Sequence, residues 1–280
     1  MDRRRFLKRA LAVTGGAAAT AVVPAVATSL ALPERQAFDP NDSYWAQGQP
    51  PEVTPLAGDV RVDTAIIGGG LTGLFAACFL ADRFPSRRIL VLEARQVGHG
   101  ASGRNGGMVL TQTTNESFEV DEDEETHRLV YQMTSQAIRD MRDLVRREDG
   151  DCDLILDGFL YAIRDAEEAE DMEEYVDKAQ TLDLPLEFLD RDEAAREIGT
   201  TVYQGAVFDP NGGQVNPMKL VLLLKQAALE RGVEIRENSP VLAVEEGKPM
   251  HLAVGEKRFQ VTADNVVLAT NAYTSKLGYF

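Results

Sequence analysis

The sequence predicts an α/β fold built on a Rossmann-like dinucleotide-binding domain, and three consecutive observations predict it. Val62-Asp63-Thr64-Ala65-Ile66-Ile67 is a short β-rich run. It ends in Gly68-Gly69-Gly70-Leu71-Thr72-Gly73, and an apolar helical stretch from Leu74 to Arg83 follows at once. A second strand, Ile89-Leu90-Val91-Leu92, closes on an acid, Glu93.

Each element has a physical reason. Gly68 permits the tight turn, Gly70 leaves room for a pyrophosphate against the backbone, and Gly73 lets the helix lie close on the strand. The helix amino terminus then faces the phosphates, with Leu71 and Thr72 in the contact set. The Glu93 carboxylate is placed to accept hydrogen bonds from a ribose with free hydroxyls, which disfavours a 2′-phosphate. Ala94 and Arg95 extend that end of the site. Gly-x-Gly-x-x-Gly alone is a weak signal, but here it lies between a strand and a helix, and the acid closes a βαβ unit of the right length.

The bulk composition agrees with a folded protein. A chain of 280 residues, 44% hydrophobic, can bury the core of one large domain or two modest ones. A net charge of -16 argues against a nucleic-acid partner, which needs a basic face. With two cysteines, Cys78 and Cys152, a disulfide scaffold or Cys-rich metal site is excluded, although one bridge between them stays open. Cys78 falls in the apolar helix and is expected to pack there. His99, His127 and His251 stand far apart, without carboxylate or thiol neighbours at ligand spacing, so no metal site is expected.

The first residues read as an address. Arg3-Arg4-Arg5-Phe6-Leu7-Lys8 precedes a weakly apolar Ala, Val and Gly stretch that ends in Ala25-Val26-Ala27. The arginine pair resembles the twin-arginine motif of Tat export signals, with Asp2 where Ser or Thr is commoner. Gly15, Gly16 and Pro24 lower its hydrophobicity and favour a cleaved signal, with cleavage after Ala27 or Ala31. An uncleaved membrane anchor is the alternative. The expectation is a signal over 1–31, the Tat translocase as export partner, a periplasmic or other extracytoplasmic location, and no stable membrane span after cleavage. Residues 32–59 read as an extended lead-in, which Tyr44 and Trp45 pack onto the body without chemistry of their own.

After Glu93 comes Gly98-His99-Gly100-Ala101-Ser102-Gly103-Arg104-Asn105-Gly106-Gly107. Small residues give a ligand close backbone access, Ser102 and Asn105 offer hydrogen bonds, and Arg104 offers positive charge to an anionic phosphate. Together with the run from Asp63, this string resembles the D-amino-acid-oxidase superfamily of FAD-dependent oxidoreductases. The Gly-Ala-Ser-Gly-Arg-Asn-Gly-Gly segment is similar to its gamma-glutamylputrescine oxidase and glycine oxidase branch. The resemblance implies FAD contacts from Ala101, Ser102, Gly103, Arg104, Asn105, Gly106 and Gly107 along the pyrophosphate toward the flavin ring. It also implies that Val241 presents its backbone to the adenine. Some relatives attach flavin to a histidine near this loop, but His99 falls one position early, so non-covalent FAD is expected.

Further along, helical periodicity covers Thr126 to Arg147, after an acidic run, Glu116 to Glu125, that reads as a solvated face. A strand at 157–163, an acidic helix from Asp165 to Gln180, a strand at 186–189 and a helix from Asp192 to Ile198 follow. Tyr161, Tyr203 and Phe208 are candidate pocket aromatics. Pro217 opens a helix reaching Arg231. A hairpin over 250–261 is expected to turn at Gly255-Glu256 as type II′, and Asp264 to Tyr273 is a separate return strand.

The resemblance implies an α+β substrate domain that is incomplete, because the family continues well past residue 280. The expected organisation is FAD-binding over 60–150, part of the substrate domain over 151–214, and FAD-binding again over 215–280. The activity implied is oxidation of the CH-NH bond of an amine or amino acid by hydride transfer to flavin N5, with an inactive fragment. No catalytic residue is named, since the substrate-gripping groups usually lie in the later part of the family. Two alternatives stay open: a non-catalytic flavin-binding or assembly protein, and an NAD-dependent dehydrogenase.

Overall fold

The computed structural model describes residues 43–46, 53–111 and 124–276. The expected export signal and most of the acidic run at 116–125 lie outside these residues. In chain order the regular elements are β1 (Val60–Ile67), α1 (Leu71–Arg83), β2 (Ile89–Leu92), β3 (Met108–Val109) and α2 (Glu124–Arg147). Then come β4 (Phe159–Ile163), α3 (Ala166–Thr181), β5 (Glu187–Leu189), α4 (Arg191–Ile198), β6 (Gly205–Asp209) and β7 (Gly213–Gln214). The order ends with α5 (Pro217–Glu230), β8 (Glu234–Arg236), β9 (Val241–Glu245), β10 (Met250–Val254) and β11 (Phe259–Leu268).

The larger sheet runs β8-β2-β1-β11-β10-β9. Strands β8, β2, β1 and β11 are parallel neighbours, and β10 and β9 are antiparallel. All four β2 residues are buried, as expected of a central parallel strand covered on both faces. Because side chains alternate, Ile66 and Val91 meet one core, while Ala65, Ile67, Leu90 and Leu92 meet another. In the first core, α1 contributes Leu74, Ala77, Cys78 and Ala81, and α5 contributes Leu220, Val221, Leu224, Ala227 and Ala228. Both cysteines are free and buried, so the bridge left open by the sequence is not made. Burial pushes the Cys78 thiol up to about 11.

A second, three-stranded antiparallel sheet runs β4-β6-β5. Its cover is α3, whose Ala169, Tyr175, Val176 and Ala179 are buried against Ile163, Leu186 and Val207. The Asp165 carboxylate caps α3 by accepting the Glu167 and Glu168 amides, and Asp190 and Glu193 form a capping box on α4. The long helix α2 belongs to both regions. Its Tyr131 packs under the small sheet, whereas Ile138, Met141, Leu144 and Val145 enter the first core.

Two expectations are corrected at the carboxyl end. The hairpin closes at Val254 opposite Phe259, which leaves four loop residues rather than two. Gly255 at φ +69° and Arg258 at φ +54° carry the reversal, and the Arg258 amide donates to the Gly255 carbonyl at 3.0 Å. The expected hairpin strand and return strand are one element, β11. Its first half pairs antiparallel with β10, and its span from Val261 to Leu268 pairs parallel with β1. A strand has two edges, and Thr262 and Ala263, left between the two expected strands, pair with β10 on one edge and β1 on the other. Among the described residues, no helix is long and apolar enough to cross a membrane.

Candidate functional site

The site starts where β1 gives way to α1. Gly68 sits at φ +111°, a conformation L side chains rarely adopt, and a Cβ there would strike the Ala269 carbonyl oxygen at the end of β11. A Cβ on Gly73 would collide with the Gly68 carbonyl oxygen, so the first turn of α1 rests directly on the glycine turn. At Gly70 the nearest atom to such a Cβ is Ser102 Oγ, 2.7 Å away. Gly70 is the N-cap of α1 and supplies no side-chain cap. The Leu71 amide donates to Ser102 Oγ at 3.0 Å, while Thr72 is exposed beside it. The amino terminus of α1 therefore meets solvent and the Ser102 hydroxyl, the arrangement an anion requires.

Glu93 stands at the carboxyl end of β2, half-buried. One carboxylate oxygen accepts the Gly69 amide at 2.8 Å and the other the Arg95 amide at 2.9 Å. Each oxygen keeps a lone pair for a further donor, such as a sugar hydroxyl. Burial raises the Glu93 pKa above the ordinary carboxylate range; the amides of Arg95 and Gly69 pull it down, and the Glu237 charge adds to the rise. Ala94 is exposed. The Glu93 and Arg95 carbonyls accept the amides of Ser239 and Asn238 at 2.8 and 2.7 Å. These bonds stitch the approach to β9, and hence Val241 at its start, onto the same end of the sheet.

Beneath this stitch lies an ion pair that the sequence analysis missed. Glu237, 2% exposed, accepts the Val97 amide on one oxygen at 2.7 Å and the Lys225 ammonium on the other at 2.8 Å. A lysine directly after the apolar run from Leu220 to Leu224 was the available hint, but its partner is twelve residues on and only the fold brings them together.

The loop after β2 folds on itself. Ala101–Gly103 forms a 3-10 turn, and the Asn105 side-chain amide donates to the Ala101 and Ser102 carbonyls while its oxygen accepts the Gly107 amide. Asn105, expected to offer its side chain to a ligand, spends it shaping the loop. Gly106 is exposed. Gly107, at φ +76°, accepts the Val215 amide at 2.8 Å, which ties the loop to the lead-in of α5. The exposed Arg104 guanidinium lies 3.5 Å from His99 Nε2. Burial, with Arg104 and then Arg95 nearby, lowers the His99 pKa.

A second polar centre ties the small sheet to α2 and to the chain after β3. The buried Asp209 carboxylate accepts the Thr111 hydroxyl, the Tyr131 hydroxyl at 2.9 Å and the Asn211 amide at 2.9 Å. A cavity of about 10 Å³, room for one water, is lined by Leu110, Thr111, Phe159, Tyr161, Val207, Asp209 and Gly212. Of the three candidate pocket aromatics, only Tyr161 reaches it. Tyr203 lies under the Arg164 guanidinium, and the Phe208 ring covers Gly158.

Compared with known proteins, residues 63–279 match the family described as FAD dependent oxidoreductase. The chain belongs to that family. It is 31% identical over 222 residues to gamma-glutamylputrescine oxidoreductase of Escherichia coli strain K12, covering 76% of this chain and 50% of that protein. It is 32% identical over 246 residues to a probable oxidoreductase of Rhizobium meliloti strain 1021, covering 83% and 55%. Among solved structures it resembles glycine oxidase from Geobacillus kaustophilus, with a TM-score of 0.66 and 27% identity over 78% of this chain and 57% of that one. The chain spans about half the length of the curated relatives it matches.

Membership makes FAD the cofactor and sets aside the nicotinamide alternative. The residues present fit it. The glycine turn leaves no Cβ between strand and helix, α1 opens without a side-chain cap, and an acid with spare lone pairs ends β2.

Proposed function

We propose that this chain is the cofactor-binding part, with a portion of the substrate domain, of an oxidoreductase acting on the CH-NH bond of an amine or amino acid. The flavin, when bound, supplies the redox step by accepting a hydride at N5 from the carbon that bears the amine. The residues of this chain bind and orient. The α1 amino terminus, with Gly68, Gly70, Leu71, Thr72 and Gly73, receives the pyrophosphate, and Glu93, Ala94 and Arg95 receive the ribose. Val241 meets the adenine through its backbone. The loop from Ala101 to Gly107 leads toward the ring system, Ser102 and the loop amides donating and Arg104 supplying charge. The observation that carries the proposal is the similarity to gamma-glutamylputrescine oxidoreductase, spread over three quarters of the chain rather than confined to the glycine motif.

Because the relatives are about twice as long, the activity is proposed for the whole protein and not for this segment alone. The decisive experiment expresses the full reading frame, titrates the yellow protein anaerobically with amines and amino acids, and follows flavin absorbance near about 450 nm. Bleaching by one substrate class is the expected result. FAD-loaded protein that no amine reduces would instead support a non-catalytic flavin-binding role. We further propose that FAD is held without a covalent bond, because His99 falls one position before the place where some relatives attach flavin; acid precipitation should release all the flavin. Export through the Tat pathway is proposed from Arg3 and Arg4. Arg3→Lys together with Arg4→Lys should trap a reporter fusion in the cytoplasm, and undiminished export would remove the proposal.

A further inference from the structure

The turn formed by Ser43, Tyr44 and Trp45 touches the cofactor loop, sixty residues away in sequence. The Ser43 hydroxyl donates to the Gly103 carbonyl at 2.7 Å, and the Trp45 indole N–H donates to the Asn105 carbonyl at 2.8 Å. The Trp45 amide donates to Ser43 Oγ at 3.3 Å and closes the 3-10 turn Tyr44–Ala46. Trp45 is half-buried, whereas Tyr44 is 75% exposed and meets the indole edge-on at 5.3 Å. Two donors of different chemistry thus reach two alternate carbonyls of one loop. Simple apolar packing of a chain end has no need of either bond.

Both accepting carbonyls lie within the loop whose Ser102 takes the Leu71 amide. A peptide unit is planar, and its N–H points opposite its C=O. Holding the Asn105 carbonyl toward the indole therefore turns the Gly106 amide to the other side of the loop. The Asn105 side chain is occupied inside the loop, so it cannot perform this orientation for its own carbonyl.

We propose that Ser43 and Trp45 are positioning residues for FAD: Ser43 holds the Gly103–Arg104 peptide, whose amide donates to the Ala101 carbonyl at 3.1 Å and closes the turn that carries Ser102, and Trp45 presets the Gly106 amide for the cofactor. The segment before β1 is then a working part of the cofactor site. Its benefit is preorganisation, because a loop already held in its binding shape loses less freedom when ligand arrives.

Trp45 is the one tryptophan of these 280 residues, so the emission lost in Trp45→Phe isolates its seating within the full-length protein. The test uses the full-length protein, stripped of FAD and titrated back while tryptophan emission and flavin fluorescence are recorded, with the melting temperature of the apo form measured separately. In the wild type, Trp45 emission should fall in step with FAD binding. Trp45→Phe keeps the ring and removes the N–H; it should weaken FAD about ten-fold, the equivalent of one hydrogen bond and its ordering. Ser43→Ala should weaken FAD several-fold and Ser43→Thr restore it, with apo melting unchanged in all three. Unchanged FAD affinity in both Trp45→Phe and Ser43→Ala would overturn the proposal. So would an affinity loss matched by an equal fall in apo melting, which would mark a general packing role, or Trp45 emission indifferent to bound FAD. No amine is needed, so the outcome is independent of the substrate proposed above.

Discussion

The two ends of the molecule handle polarity in opposite ways. Around the glycine turn the backbone itself is the working surface: Gly68 and Gly73 remove side chains so that strand, helix and ligand can approach, and the Glu93 carboxylate serves main-chain amides. In the three-stranded sheet a buried side chain does the organising. Asp209 gathers a threonine, a tyrosine and a backbone amide from three separate segments. The first arrangement leaves donors for a ligand, and the second consumes its donors internally. One region is built to receive and the other to hold the parts in register.

The strongest way to break that contrast is inside the cofactor region, where one buried side-chain pair supports the backbone site. Lys225→Met would leave the Glu237 carboxylate, 2% exposed, without its cation. Removing one partner of a buried pair costs about 3–5 kcal/mol. Urea unfolding should show a loss of that order together with weaker FAD binding, and a change under about 1 kcal/mol would mean that the Val97 amide alone sustains Glu237.

Gly73→Ala comes next. Its new methyl group meets the Gly68 carbonyl oxygen, a backbone atom that cannot step aside. Overpacking of this kind costs about 1–3 kcal/mol. Since the displaced atoms form the cofactor turn, FAD affinity should drop more steeply than stability. Calorimetric titration beside thermal unfolding would separate the two effects, and full FAD affinity would show that the helix can shift without cost.

Asp209→Asn sharpens the comparison from the other side. Mismatching its buried network should destabilise the protein by about 1–3 kcal/mol, yet leave FAD affinity within about two-fold. A large affinity loss would show that the small sheet reaches into the cofactor site after all.

The smallest effect on stability is expected at Glu93. Burial raises its pKa, so the fold favours the protonated carboxyl. The associated stability is complete below the unfolded-state pKa and is lost as pH rises through the higher folded value. Apo protein should therefore lose some stability as pH climbs above the ordinary carboxylate range, and Glu93→Gln should flatten that slope. The same variant should weaken FAD roughly ten-fold by removing the charged acceptor for sugar hydroxyls. A slope that persists in Glu93→Gln would place its origin elsewhere.

Legibility follows the same division. The glycine turn, α1 and Glu93 could be read because each depends on neighbours within a single βαβ unit. The caps at Asp165 and Asp190 obey the same local logic. Asn105 was read as a ligand donor and not as the occupant of its own loop's hydrogen bonds, since that depends on how the turn closes. Lys225 with Glu237, and Ser43 with Gly103, were invisible because the partners meet only through tertiary contact. The junction inside β11 was misread as two strands, because only pairing at both edges joins them through Thr262 and Ala263.

By itself, the order of residues determined the strand, turn and helix of the cofactor unit, the placement of its acid, and the positions where a side chain had to be absent. Those outcomes rest on steric contacts between residues a few positions apart, which any fold must respect. Only the tertiary structure decided that a single strand would serve two neighbours, that an ammonium would find a carboxylate beneath the ribose end, and that an indole would grip the glycine-rich loop. Each of these is a pairing across long sequence separation, set when the packed layers bring buried donors and acceptors within reach.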